Sequence, residues 1–250
     1  MNRYTVITLF PELLSAYGET GIVGRCRSRG MVAIEGVNPR AFTTDRRATV
    51  DDTPYGGGPG MVMMAAPLRA AIEHARTLSP TSLVIYLSPQ GRRFRQRDVP
   101  RLAACPHLIL VAGRYEGIDE RLLERDVDEE WSVGDFVVSG GEVPAMLMID
   151  AIVRTLPNAL GDERSAQQDS FSDGLLDHPH YTRPEILDDQ SVPAVLLSGH
   201  HAEIAAWRRQ QRLGRTWQRR PDLLPTLGLD SKDGDVLEAY RRARTESSDD

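Results

Sequence analysis

Two unbroken apolar runs, residues 83–87 and 108–111, each stop at a glycine-bearing loop. A strand that is apolar at every position must be covered on both faces, which is the condition of a parallel strand between helical layers. The loops are Ser88-Pro89-Gln90-Gly91 and Gly113-Arg114-Tyr115-Glu116-Gly117, and a third, residues 131–141, ends in Gly140-Gly141. Ligands of α/β sheets collect at the carboxyl ends of strands, where glycine lets the backbone come close. Three such loops point to one composite pocket.

The rest of the first half fits an α/β reading. Residues 4–10 read as a strand, closed by Pro11 in the first turn of a helix carrying Leu13, Leu14 and Tyr17. Residues 31–37 read as a strand. Residues 67–77 read as a helix with Leu68, Ala71, Ile72 and Ala75 on one face, and residues 96–104 supply a crossover. Residues 142–156 form a helix with almost no polar face, so both of its sides must be covered, and a subunit interface is one way to do so. Asp150 and Arg154, four apart, can pair along it.

From residue 157 to about 184 the periodicity dissolves into Gly, Asp, Ser, Gln, His and Pro. Beyond it, Ser198 can cap a helix containing Ile204, Trp207, Arg208 and Arg212, and Pro221 opens another with Leu223 and Leu224. A charged tail with a last helix follows. The expected division is a catalytic domain over 1–158, a flexible linker over 159–184 and a small all-α domain over 185–250.

Several chemistries are excluded. No apolar run approaches the roughly 18 residues of a membrane span, and the first residues lack signal-peptide character, so the expected location is cytoplasmic. Cys26 and Cys105 form neither a disulfide framework nor a CxxC pair. Gly56-Gly57-Gly58-Pro59-Gly60 lacks P-loop spacing and reads either as a sharp turn or as bare backbone over which a base can slide. His200-His201 point about 100° apart on a helix, and His178 and His180 show no third ligand in the pattern. A net charge of −6 argues against indiscriminate nucleic-acid binding. Arginine nevertheless clusters at 92–101 and 208–220.

Segments 54–61, 85–91, 113–119, 128–141 and 169–184 together resemble the bacterial tRNA (guanine-N1)-methyltransferase family, TrmD, in the SPOUT superfamily. The likeness runs in register from about residue 9 to 224. His178 stands where a cysteine is frequent.

That resemblance implies a SPOUT-type parallel sheet with a deep trefoil knot toward its C-terminal end, binding S-adenosylmethionine between the three loops. The matching positions are Tyr86, Leu87, Ser88 and Pro89, then Gly113, Tyr115, Glu116 and Gly117. In the third loop they are Ser132, Val133, Gly134, Asp135, Phe136, Val137, Val138, Gly140 and Gly141, with Pro144 beyond. It also implies a homodimer, tRNA as substrate, and Mg²⁺, for which Glu116 and Asp169 are the carboxylates. Asp169 matches the general base that removes the guanine N1 proton, and Arg154 the cation that stabilises O6. Gly58 and Pro59 are expected to meet the substrate, and Arg208, Arg209 and Arg212 to grip tRNA. A knotted ribose 2′-O-methyltransferase and a non-catalytic RNA-binding protein remain alternatives. A Rossmann methyltransferase is disfavoured, because no glycine-rich fingerprint follows the first strand.

Overall fold

The computed structural model describes residues 1–162 and 164–246, so Glu163 and the end of the expected charged tail, 247–250, lie outside the described residues. The chain divides into two compact units, Met1–Glu163 and Arg164–Asp250.

The first unit holds strands β1 (Asn2–Ile7), β2 (Val32–Val37), β3 (Asp51–Asp52), β4 (Val62–Met63), β5 (Leu83–Arg93), β6 (His107–Ala112) and β7 (Glu129–Ser132). Its helices are α1 (Pro11–Tyr17), α2 (Gly21–Ser28), α3 (Ala65–Arg76), α4 (Val99–Ala103), α5 (Glu120–Asp126) and α6 (Glu142–Val153). Five strands pair in the order β2-β1-β6-β5-β7, every pair parallel. β3 and β4 form a separate small hairpin.

Strand β6 sits in the middle, and all six of its residues are buried. Its side chains divide by the two-residue period. Leu108, Leu110 and Ala112 join the layer with Leu14, Val23, Leu102, Met148 and Ile149. Ile109 and Val111 join the opposite layer with Leu68, Ile72 and Leu122. The continuous apolar run thus reflects helices on both faces, and each fully buried aliphatic side chain contributes about 1.5–3 kcal/mol. Both cysteines are free, Cys26 in the core and Cys105 half-buried.

His107 is the polar exception in β6. It is fully buried, its Nε2 lies 2.9 Å from Thr5 Oγ1, and its Nδ1 has no hydrogen-bond partner. Burial, reinforced by the Arg3 charge, holds the imidazole below its usual range. The folded state therefore keeps it neutral while the unfolded chain takes up a proton near pH ~6.5. Its contribution to stability is complete above that value and is lost as pH falls below it. The melting temperature should drop more steeply between pH 7 and 5 in the parent protein than in a His107→Gln variant. Parallel curves would remove His107 from the account.

The second unit carries α7 (Arg164–Gln168), a hairpin of β8 (Ile186–Leu187) and β9 (Gln190–Ser191), α8 (Ala194–Leu197), α9 (His201–Arg219), a 3-10 turn (Pro221–Thr226) and α10 (Ser231–Glu246). The hairpin departs from the all-helical expectation. Asp188 and Asp189 take positive φ, 49° and 61°, as a two-residue turn matched to strand twist requires. Ser198 also acts otherwise than expected: it accepts from the His200 N–H and donates to Val195 O, so it closes α8 instead of capping α9. Leu175, Leu213 and Tyr240 are buried. Among the described residues, no helix is long and apolar enough to cross a membrane.

Candidate active site

Strand β5 runs past its apolar half. Leu87 and Arg92 both pair with Trp131, so Ser88, Pro89, Gln90 and Gly91 bulge out of register as the first loop. The second loop leaves β6 through Tyr115 at φ +60°, a conformation costing about 1–3 kcal/mol for a residue with a Cβ. It is held from outside by Glu116 N–H donating to Met61 O at 3.0 Å and Met63 N–H to Gly117 O at 2.9 Å. The glycine-rich segment that precedes Met61, with exposed Gly58 and Pro59, is thereby fixed beside the second loop.

The third loop folds back onto the second. Gly141 N–H donates to Gly113 O at 3.0 Å, and a Cβ on Gly141 would stand 2.6 Å from Ala112 Cα. A Cβ on Gly113 would stand 2.8 Å from the Tyr86 ring. Both glycines are needed for the approach itself. Ser132 Oγ ties the start of this loop by donating to Gly134 O and accepting from Gly134 N–H.

A buried carboxylate joins the pieces. Glu142, only 1% exposed, accepts from Thr8 Oγ1 at 2.8 Å and from Arg114 Nε at 3.0 Å, while Arg114 Nη1 donates to Ser139 O at 3.2 Å. The arginine supplies the charge that a buried carboxylate needs. The end of β1, the second loop, the third loop and the start of α6 are thus connected through one pair of side chains. Arg114 also lies 4.6 Å from the centroid of the Phe10 ring.

These loops enclose one cleft. It is lined by Tyr86, Leu87, Ser88, Pro89, Gly113, Tyr115, Glu116, Gly117, Ser132, Val133, Gly134, Phe136, Val137, Val138, Gly140, Gly141 and Pro144, every cofactor candidate except Asp135. Asp135 points to solvent and pairs with Arg93 at 3.3 Å. Gln90, Arg114, Trp131 and Ser139 also line the cleft, beyond the positions expected from the sequence. Burial pushes the Tyr86 phenol up to about 12, with the Glu130 charge adding to it, so it remains a neutral donor.

Arg154 is half-buried at the end of α6, its N–H donating to Asp150 O. Asp150 accepts from the Tyr17 hydroxyl at 3.4 Å. Asp169 follows α7 in the second unit and is half-buried. Glu116 belongs to the first unit, so the two carboxylates expected to hold a metal are carried by different units.

The arginine clusters resolve unevenly. Arg92 pairs with Asp98 and lies 3.8 Å over the Trp131 ring, and Arg101 forks onto Glu129. Arg209 is engaged by Asp233 and Asp173, and Arg212 by Asp173. Arg208 is exposed and makes no ion pair among the described residues. His200 and His201 are exposed at the start of α9. His178 and His180 do gain a third ligand group, the adjacent Asp177, contrary to the expectation from the sequence pattern.

The parallel sheet and the three-loop cleft at its carboxyl edge define an α/β protein with a small-molecule site at strand ends. A model of the tRNA (Guanine-1)-methyltransferase TrmD family matches residues 2–226. The tRNA (guanine-N(1)-)-methyltransferase of Marinomonas sp. (strain MWYL1) is 55% identical over 246 residues, 98% of each chain. The protein of that name from Pseudomonas putida (strain W619) is 57% identical over 246 residues, again 98% of each. The one from Aeromonas hydrophila is 58% identical over 238 residues, 95% of this chain and 96% of its own. The chain belongs to the TrmD family of tRNA (guanine-1)-methyltransferases.

Proposed function

We propose that the chain methylates N1 of the guanosine immediately 3′ of the anticodon in tRNA, with S-adenosylmethionine as donor. The observation that carries this reading is the single cleft built by three strand-end loops in a chain of this family. The cofactor, when bound, supplies a methyl group on a sulfonium sulfur. The residues present suit such a ligand: glycines at 113, 140 and 141 leave backbone groups open to a purine edge, and Leu87, Val133, Val137 and Pro144 offer apolar surface to its faces.

In this reading Asp169 accepts the N1 proton as the guanine becomes a nucleophile. A carboxylate is a weak acceptor for that proton, so the negative charge developing on O6 needs a fixed cation, and Arg154 provides it. Mg²⁺ would be held by Glu116 and Asp169, where a hard ion suits carboxylate oxygens. In this reading the chain also threads a deep trefoil knot toward the C-terminal end of the parallel sheet. Gly58 and Pro59 meet the target nucleotide.

The protein works as a homodimer in this proposal. Phe136, Val137, Val138, Val143 and Leu147 are exposed on the third loop and α6, as a face awaiting a second subunit requires. Residues 1–158 are catalytic, 159–184 form the interdomain linker and 185–250 bind tRNA in the cytoplasm.

The test is transfer of labelled methyl to two unmodified tRNAs, one with guanosine and one with adenosine 3′ of the anticodon. Transfer to the first alone, recovered as N1-methylguanosine, is expected. Ribose-methylated product, or no transfer despite cofactor binding, would replace the reading with a 2′-O-methyltransferase or a non-catalytic RNA-binding protein.

Among the arginines proposed to grip tRNA, Arg208 has the charge least committed elsewhere. Arg208→Ala should weaken tRNA binding and lower the salt slope by about one unit. Arg212→Ala should instead lower the melting temperature, because it removes a largely buried guanidinium from Asp173 and leaves that carboxylate to Arg209. Equal salt slopes in the parent and Arg208→Ala would move the RNA footprint elsewhere.

A further inference from the structure

We propose that Asp177, His178 and His180, none of which is among the residues lining the methyl-transfer cleft, form a site for a borderline transition-metal ion such as Zn²⁺. Among the described residues they are the one group of three such side chains whose ligand atoms all lie within 4.8 Å of one another. His180 Nε2 stands 2.9 Å from Asp177 Oδ2, and His178 Nε2 stands 3.8 Å from Asp177 Oδ1. Ligand atoms around a tetrahedral ion with bonds near 2.1 Å are about 3.4 Å apart. The two observed separations, each to a different oxygen of Asp177, straddle that value, and all three ligand atoms lie within 4.8 Å of one another.

The supporting contacts are those a metal site needs. His178 Nδ1 lies 3.1 Å from Pro179 O. A carbonyl can only accept, so Nδ1 carries the proton and Nε2 keeps its lone pair for a metal. His178 is 8% exposed, and Trp207 of α9 lies against its ring at 6.4 Å between centroids. The Asp177 carboxylate is aimed by the His178 N–H at 2.7 Å, and the Asp177 N–H donates to Ser170 Oγ at 3.0 Å.

The donor set selects the ion. Two imidazoles and one carboxylate suit Zn²⁺, Co²⁺ or Ni²⁺, whereas Mg²⁺ prefers oxygen alone. When the ion binds, a proton on His180 Nε2 is displaced and either moves to the exposed Nδ1 or is released. Three protein ligands leave a fourth position for water, and His178 and His180 also line a groove with Tyr181, Arg183, Leu196 and Arg208. Without an ion, the Asp177–His180 hydrogen bond and the tilted contact of the two imidazole rings, 4.4 Å between centroids, hold these groups together.

The untagged full-length chain, stripped with chelator and dialysed, is titrated with Co²⁺ and followed by its visible absorption. One equivalent should bind with the intense bands of a tetrahedral site, be displaced by Zn²⁺ and ignore millimolar Mg²⁺. His180→Ala, at an exposed position that should leave folding intact, and Asp177→Asn should each weaken binding at least ~100-fold at an unchanged melting temperature. A His200→Ala/His201→Ala double variant should bind as the parent does. No saturable site, retention of the bands in His180→Ala, or their loss in the double variant would overturn the proposal. None of these readouts depends on methyl transfer, so failure here leaves the proposed activity untouched.

Discussion

Asp169→Ala should lower the rate constant for methyl transfer to unmodified tRNA by about 10²–10⁴-fold, the usual contribution of a positioned general base, while cofactor affinity changes less than about threefold. The two effects separate because the cleft is lined by residues of the first unit and Asp169 belongs to the second. Asp169→Asn, which keeps the shape and loses the proton acceptor, should be nearly as slow as alanine. Single-turnover transfer together with cofactor binding by calorimetry decides the matter. Equal loss of rate and cofactor affinity would make Asp169 a structural residue. Asparagine retaining most of the rate would leave the N1 proton to some other acceptor.

The parts of the fold legible in the sequence are those whose burial is symmetric. β6 is covered on both faces, so it is apolar at every position after His107, and α3 alternates at helical spacing because only one side meets the sheet. β7 escaped because it is an edge strand whose polar residues are satisfied by side chains far away in the chain. Glu129 takes both prongs of Arg101 and the Trp131 indole N–H, and Arg92 covers the Trp131 ring. Two arginines that resemble part of an RNA-binding cluster are therefore packing elements of β7. Exposed pairs of this kind contribute only about 0–1 kcal/mol each, and their role here is to let a strand that is half polar close the sheet.

The candidate site divides in the same way. Glycine loops at the ends of apolar runs are visible in one dimension, and the cleft gathers them. The Thr8–Glu142–Arg114 connection is not visible, because its members come from β1's end, the second loop and the first turn of α6, and nothing in the loop motif that contains Arg114 points to Thr8 or Glu142. The acidic residue at the start of α6 reads as an ordinary first-turn charge; only the fold places it beside Arg114 and out of water. Arg209 and Arg212 are the reverse case, since charge clustering alone does not reveal that Asp173 and Asp233 hold them.

Gly141→Ala carries the second large expected effect. The added Cβ would meet Ala112 Cα at 2.6 Å, Ala112 Cβ at 3.1 Å and Gly113 N at 3.1 Å, so a backbone segment has to move. The two candidates are the end of β6, which is locked between β1 and β5, and the start of α6, whose Ala145 N–H donates to Gly141 O. Either movement breaks the Gly141–Gly113 hydrogen bond and parts the second loop from the third. Cofactor affinity should fall at least ~10-fold, about 1.4 kcal/mol, and the overpacking should cost about 1–3 kcal/mol of stability. Gly161→Ala, where an added Cβ meets nothing within 4 Å, is the control and should leave both unchanged. Binding calorimetry beside thermal melts of the two variants tells the terms apart. A Gly141→Ala protein that melts lower yet binds the cofactor as the parent does would mean that the ligand does not use the junction of these loops. The first loop, with Ser88 and Pro89, would then have to hold it alone.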